Sequence, residues 1–221
     1  MMKRTPTLLI ALCASLLAAC AGSDCKKTPA DADIFAPDLS NAQCSENVWT
    51  FKDGILESTK DVIIFTKGEH KNFEAEFEFK IEKGSNGGFI FYVTDTKDWT
   101  NNSLEIQICD NATSQEPKSR CGAVFGHVAP EWDSQMSYGT WHKMRVRCDG
   151  KDITTWIDGK RVSQMDMSKW TDAKRNPDGS EIPPWLSKNK KCDMQQSGKI
   201  GFQGRHGSAN CQYRNLKIRK L

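Results

Sequence analysis

The sequence lacks most of the usual signatures of catalysis. There is no Gly-x-Ser-x-Gly elbow, no Ser-His-Asp order, no phosphate loop and no dinucleotide fingerprint, so acyl transfer and nucleotide use are poor expectations. No Cys-x-x-Cys or clustered Cys/His spacing points to zinc. An excess of one charge is missing too: 31 Lys and Arg against 28 Asp and Glu leave +3, too little and too evenly mixed to suggest nucleic acid. After Leu17 no apolar run approaches the ~20 residues of a membrane span, so a soluble body is expected. No stretch holds a helical period of useful length.

What is present begins with an export signal. Met1 to Arg4 is short and positive, and Thr7 to Leu17 is apolar but too short to span a bilayer, which fits residues 1–19 as a removable signal peptide. Leu17-Ala18-Ala19-Cys20 resembles a bacterial lipobox, which makes Cys20 the lipidation site and puts the protein at the cell envelope. Ala21 after that cysteine resembles outer-membrane sorting, with the domain facing the periplasm or the surface. Residues 20–45 are small, polar and proline-containing and read as a tether, with the folded domain spanning residues 46–221. That length suits one domain with a real core.

Nine cysteines, seven of them after Cys20, are many for this size, and export favours disulfides. An odd number leaves at least one free thiol. Cys109 and Cys121 bracket a polar loop and are the favoured pair.

The period of the domain is two. Phe73, Ala75, Phe77, Phe79 and Ile81 alternate with Glu74, Glu76, Glu78 and Lys80, a strand with one buried and one wet face. Phe89 to Val93, Leu104 to Ile108, Trp141 to Cys148, Lys199 to Gln203 and Tyr213 to Arg219 read as further strands. Ile153 to Ile157 and Lys160 to Val162 flank Asp158-Gly159, a hairpin signal. The expected fold is all-β, a sandwich or jelly roll of two antiparallel sheets. Met165 to Ser197 breaks the rhythm. It carries Trp170 and Trp185 as candidate substrate-binding aromatics, and is either a functional insertion or a surface loop pinned by its tryptophans.

Candidate chemistry lies on polar faces. Alternation sends Leu104, Ile106 and Ile108 one way and Glu105 and Gln107 the other, a carboxylate beside an amide that suits a hydroxyl-rich ligand if that face lines a groove. Exposed Glu and Gln on a strand are also common without function. Asp110, just past the strand, is placed to reach the same groove. Gln203, Arg205 and His206 sit in a glycine-rich turn, and Asn86 precedes Gly87-Gly88, where backbone and ligand can approach closely.

Asp53-Gly54-Ile55-Leu56, the FEAEFEFKIEKGSNGGFIF run, Glu105 to Asp110, Gly139 to His142, Trp156 to Gly159, Gly198 to Gln203 and Tyr213 to Ile218, in that order, resemble the 3-keto-disaccharide hydrolase domain family. The resemblance implies a concanavalin-A-like jelly roll related to laminin-G modules and glucanases. It carries Asn86, Glu105, Gln107, Asp110, Gln203, His206 and Arg214 as recurring polar positions. Relatives usually read Asn-Ser-Gly where this chain has Asn86-Gly87-Gly88, and often an arginine where it has Tyr92. The implied activity is cleavage of 3-keto-glycosides or disaccharides: the C3 ketone acidifies the C2 hydrogen, a base removes it, the aglycone leaves from C1, and water adds back. Glu105 or His206 is the expected base, Arg205 or a divalent cation the carbonyl polariser, and Asp110 the proton donor. No cofactor is implied with certainty. Two alternatives are a carbohydrate-binding module without turnover and a glucanase-like hydrolase, although Gln107 stands where a second carboxylate would be wanted.

Overall fold

The computed structural model describes Met1, residues 31–45 and residues 47–221. The signal segment, Cys20 and Cys25 lie outside the described residues. Alternation builds the strands. In order they are β1 (Ala32–Asp33), β2 (Ala42–Gln43), β3 (Trp49–Lys52), β4 (Ile55–Ser58), β5 (Ile64–Thr66), β6 (Phe73–Lys80), β7 (Asn86–Val93), β8 (Leu104–Cys109), β9 (Trp141–Asp149), β10 (Asp152–Ile157), β11 (Lys160–Asp166), β12 (Lys199–Gln203) and β13 (Gln212–Lys220). Each strand read from the sequence is present, and the hairpin turns where expected: Asp158 at φ 50° and Gly159 at φ 80° supply the paired positive angles of a two-residue turn.

The strands form two antiparallel sheets. The larger runs β11-β10-β9-β6-β13-β4-β3, with β1 also paired to β13, and the smaller runs β2-β5-β12-β7-β8. Their inner faces meet through aromatic rings. Phe77 of the larger sheet lies 5.2 Å from Phe89 and 5.1 Å from Phe202 of the smaller, and Phe202 lies 4.8 Å from Tyr213. Each such ring removes a large apolar area from water, and the tilted and edge-on contacts add to that burial.

The outer face of the larger sheet is a charge lattice. Register sets Glu74, Glu76 and Glu78 of β6 opposite Arg147, Arg145 and Lys143 of β9. Glu74 accepts from Arg219 at 2.5 Å with Arg145 at 3.7 Å, Glu76 pairs with Lys143 at 2.7 Å, and Glu78 pairs with Arg214 at 2.5 Å. Asp31 borders the same face, beside Glu74, Glu76 and Lys217.

Two expectations are corrected. Residues 31–45 are not tether: β1 and β2 add a strand to each sheet, and Ile34 and Phe35 between them are buried in the core. The two apolar residues sit among polar ones, too few to register as a strand period. The Cys109–Cys121 bridge is not formed, and no disulfide occurs among the described residues. Asn111 closes that loop instead, its Oδ1 accepting the Cys121 N–H at 2.8 Å, while the Cys109 thiol meets the Ser119 carbonyl at 3.4 Å. Burial pushes both thiols up, so they stay protonated.

Candidate functional site

The outer face of the smaller sheet carries no comparable lattice. Asn86 of β7, Glu105 and Gln107 of β8 and Gln203 of β12 share it, and they floor a groove of about 360 Å³, within the size range of small-molecule sites. Loop residues wall it: Trp99, Thr100, Phe125, Trp185 and Leu186, with His206 just past the end of β12. The insertion is tied to the Trp99 loop by Lys188 to Asp98 at 2.7 Å and by Asn189 to the Asn101 carbonyl at 3.2 Å.

The glycine pair makes the floor possible. A Cβ on Gly87 would come within 2.9 Å of the Tyr213 hydroxyl in the core, and one on Gly88 within 2.0 Å of Glu105 Oε1. One glycine therefore lets the sheets close and the next lets the Glu105 side chain lie across the strand. Glu105 is only 7% exposed, and its Oε1 has no hydrogen-bond partner among the described residues. Burial pushes its pKa up to about 8, so the group is a neutral acid at neutral pH.

Around it the polar groups are oriented. Gln107 donates to Asn86 Oδ1 at 2.9 Å, which leaves Asn86 Nδ2 as a donor. His206 is held by Asp61, a residue the sequence reading missed: Asp61 Oδ2 lies 2.7 Å from His206 Nδ1, and Asp61 Oδ1 accepts from Gln203 at 3.3 Å. A carboxylate accepts only, so Nδ1 is the donor of this pair, and in the neutral ring Nε2 is the acceptor. Glu105 and His206, 101 positions apart in the chain, thus border one groove, but His206 pairs with Asp61 rather than with Glu105.

Other expected site residues lie elsewhere. Asp110 is buried beneath the turn after β8, where it accepts from the N–H groups of Gly84 and Ala112 at 3.0 Å each. Burial raises its carboxyl, but those N–H groups prevail and hold it below its ordinary value. It is a fixed anion of the turn, not a proton donor in the groove. Arg205 turns away to Asn210 at 3.3 Å. Arg214 stacks on Trp141 at 4.2 Å and pairs with Glu78 on the opposite sheet. Trp170 is buried with Nε1 donating to Asn176 at 2.7 Å, away from the groove, whereas Trp185, 58% exposed, walls it. Tyr92 serves the core, its hydroxyl donating to the Gly150 carbonyl at 2.9 Å. Trp99, Thr100 and Phe125 were also missed, since nothing in a loop's composition says which groove it borders.

Among the described residues no three His, Cys, Asp or Glu side chains are gathered as metal ligands. The groove itself presents one carboxyl and one imidazole, with Asp61 turned to the imidazole, a donor set that does not fit a divalent cation.

No curated protein matches the chain by sequence. A crystal structure of a candidate glycosyl hydrolase from Parabacteroides distasonis is 42% identical, covers 87% of this chain and 100% of that one, and has a TM-score of 0.83. At 12% identity the fold alone is shared with the carbohydrate-binding module CBM66 of Bacillus subtilis (84% of this chain, 99% of that one, TM-score 0.54) and with the β-glucanase of Bacillus licheniformis (89% and 99%, TM-score 0.50). These likenesses identify the sandwich as the expected jelly roll, of the kind seen in carbohydrate-active proteins. The model of the 3-keto-alpha-glucoside-1,2-lyase-like domain matches residues 36–219, and the chain belongs to that family.

Proposed function

We propose that this domain cleaves the glycosidic bond of 3-keto-glycosides by elimination and rehydration, at the cell envelope, lipid-anchored through Cys20. The observation that carries the reading is the pairing, in one groove, of a buried acid kept neutral with an imidazole whose Nδ1 is held by Asp61. His206 Nε2 takes the C2 proton, which the neighbouring ketone has made acidic. The electron pair forms the C1–C2 double bond and the C1–O bond breaks, while Glu105 gives its proton to the departing oxygen. Water then adds to C1, giving one proton back to Glu105, and C2 regains the proton held on His206, which restores both groups. Asn86 Nδ2 and the remaining Gln107 N–H are the donors for the ketone oxygen as negative charge develops there. Trp99 and Trp185 offer apolar walls to a sugar ring. This arrangement replaces the earlier expectation for Asp110 and Arg205: Glu105 becomes the donor and amides the polariser.

A glucanase-type route would need two carboxyl groups about 5–5.5 Å apart, and among the described residues Glu105 is the single carboxyl lining the groove. The rival is a binding module that uses the groove without turnover. Incubation of the purified domain with an aryl 3-keto-glucoside separates the two. Release of the aglycone is expected, and saturable binding with no release would overturn the enzyme reading.

A further inference from the structure

Across the Phe125-Gly126 and Pro183–Leu186 segments from the groove lies a larger cleft, of about 680 Å³, between residues 116–129 and the 164–183 part of the insertion. Phe125 and Leu186 border the groove, and Gly126 and Pro183 border this cleft. The wall is tight. A Cβ on Gly126, at φ +72°, would come within 2.6 Å of Leu186 Cδ1.

The chemistry of the cleft is decided by one hydrogen-bond network. Asn176 Nδ2 donates to the Gly126 carbonyl and to Ser180 Oγ, each at 3.1 Å, so its Oδ1 is the acceptor on the other side. That Oδ1 takes the Trp170 Nε1–H at 2.7 Å and faces His127 Nδ1 at 3.4 Å. An indole nitrogen only donates, and an amide oxygen only accepts, so the hydrogen of the His127 ring belongs on Nδ1 and Nε2 carries a lone pair. His127 is only 3% exposed and borders this cleft, and its Nε2 has no partner among the described residues. Burial, with Lys191 nearby, pushes the ring's pKa down to about 3, so it does not escape by taking a proton.

Of the other polar side chains lining the cleft, Lys118, Asp178 and Ser180 hold one another, Ser119 is half-buried, and Glu116, Gln164 and Glu181 stand exposed at the rim. Lys118 Nζ bonds Asp178 at 2.6 Å and Ser180 at 2.5 Å, and Gln164 accepts from Arg161 at 3.0 Å. Between them the walls are apolar, made by Pro117, Pro177, Pro183 and Val128. A polyol would turn several hydroxyls against these walls, where His127 Nε2 is the buried acceptor to meet them, and an anion would face the Glu116 and Glu181 carboxylates at the rim. A flat apolar ring with a single hydroxyl matches the apolar walls and supplies that buried acceptor with a donor.

We propose that this cleft is a second binding site, separate from the groove, for a phenolic compound whose hydroxyl donates to His127 Nε2 and whose ring packs among the prolines and Val128. A phenol keeps its proton at neutral pH, with a pKa near 10, and so arrives as the donor the site needs.

The test is titration of the full folded protein with 2-naphthol and with naphthalene at pH 7, by calorimetry and by ligand-observed NMR. Saturable binding of 2-naphthol is expected, with naphthalene weaker by about tenfold, as one hydrogen bond to a buried acceptor is worth. Ala129→Trp, which fills the cleft from its half-buried rim, should abolish binding. His127→Phe, which keeps a ring of similar size without the acceptor, should reduce the preference for naphthol to about unity. Glu105→Gln should leave binding unchanged. Equal affinity for the two compounds in the wild type, binding that survives Ala129→Trp, or loss of binding in Glu105→Gln would each overturn the proposal. The first comparison needs no variant, so a misfolded His127→Phe does not shelter it.

Discussion

Glu74 and Glu105 are each 7% exposed on the outer face of a sheet, and they have opposite surroundings. Glu74 is clasped by Arg219 and approached by Arg145. Glu105 has a glycine beneath it, an amide beside it and no partner for Oε1. Alternation wrote both positions in the same way, glutamate among apolar residues on a strand. The difference is made by the neighbouring strands: β9 and β13 bring arginine and lysine to β6, whereas β7 brings Asn86 and Gly88 to β8. A buried carboxylate that is paired belongs to the fold, and one left unpaired is a reagent held in readiness.

The contrast breaks most visibly in activity. Glu105→Gln should lower the rate of aglycone release from a 3-keto-glucoside by about 10²–10⁴-fold, as for loss of an acid–base group. Glu74→Gln should leave that rate near wild type. An active Glu105→Gln would return that residue to the same standing as Glu74.

Next in size is the pH dependence of stability. Glu105 keeps its proton up to about pH 8 in the folded state but only to its model value of 4.5 when unfolded, so between those limits the folded state holds the extra proton. Stability from this group is therefore full below 4.5 and is lost as pH rises through about 8, a change on the order of a few kcal/mol. Denaturant titrations at pH 5 and pH 8.5 should show wild type losing stability relative to Glu105→Gln. A parallel course in the two proteins would mean that the carboxyl is not held neutral.

Glu74→Gln should act in the opposite sense, on stability and not on chemistry. It leaves Arg219 and Arg145 without their anion, and because both are about a third exposed the loss should stay near 1–3 kcal/mol in chemical denaturation. Smallest is Asp61→Asn. The pair with His206 is about half exposed on both sides, so solvent screens it and the rate should fall only a few-fold.

The sequence made the strands legible because a half-buried strand repeats every two residues, and β6 and β8 show it plainly. It did not reveal β1 and β2, whose two-residue pairings have no period to detect, nor that Ile34 and Phe35 join the core. At the site, Asn86, Glu105, Gln107, Gln203 and His206 were legible from alternation and from the resemblance, and they share the groove. Asp110, Arg205 and Arg214 were misplaced because nearness along the chain says nothing about which way a side chain leaves a turn or a bulge. Asp61 was invisible for the converse reason. It lies 145 positions from His206, and only the packing of β12 against β5 brings the two together.

The place of Asp31 has a consequence for orientation. It borders the outer face of the larger sheet, while the groove opens on the outer face of the smaller one. Packed sheets stand about 10 Å apart, so Asp31 marks one flank of a slab and the groove opens on the other. Were the chain anchored through Cys20 as proposed, a bulky ligand would reach the groove from the flank away from Asp31, and shortening the intervening segment would change how far the domain ranges before it changed what the groove accepts.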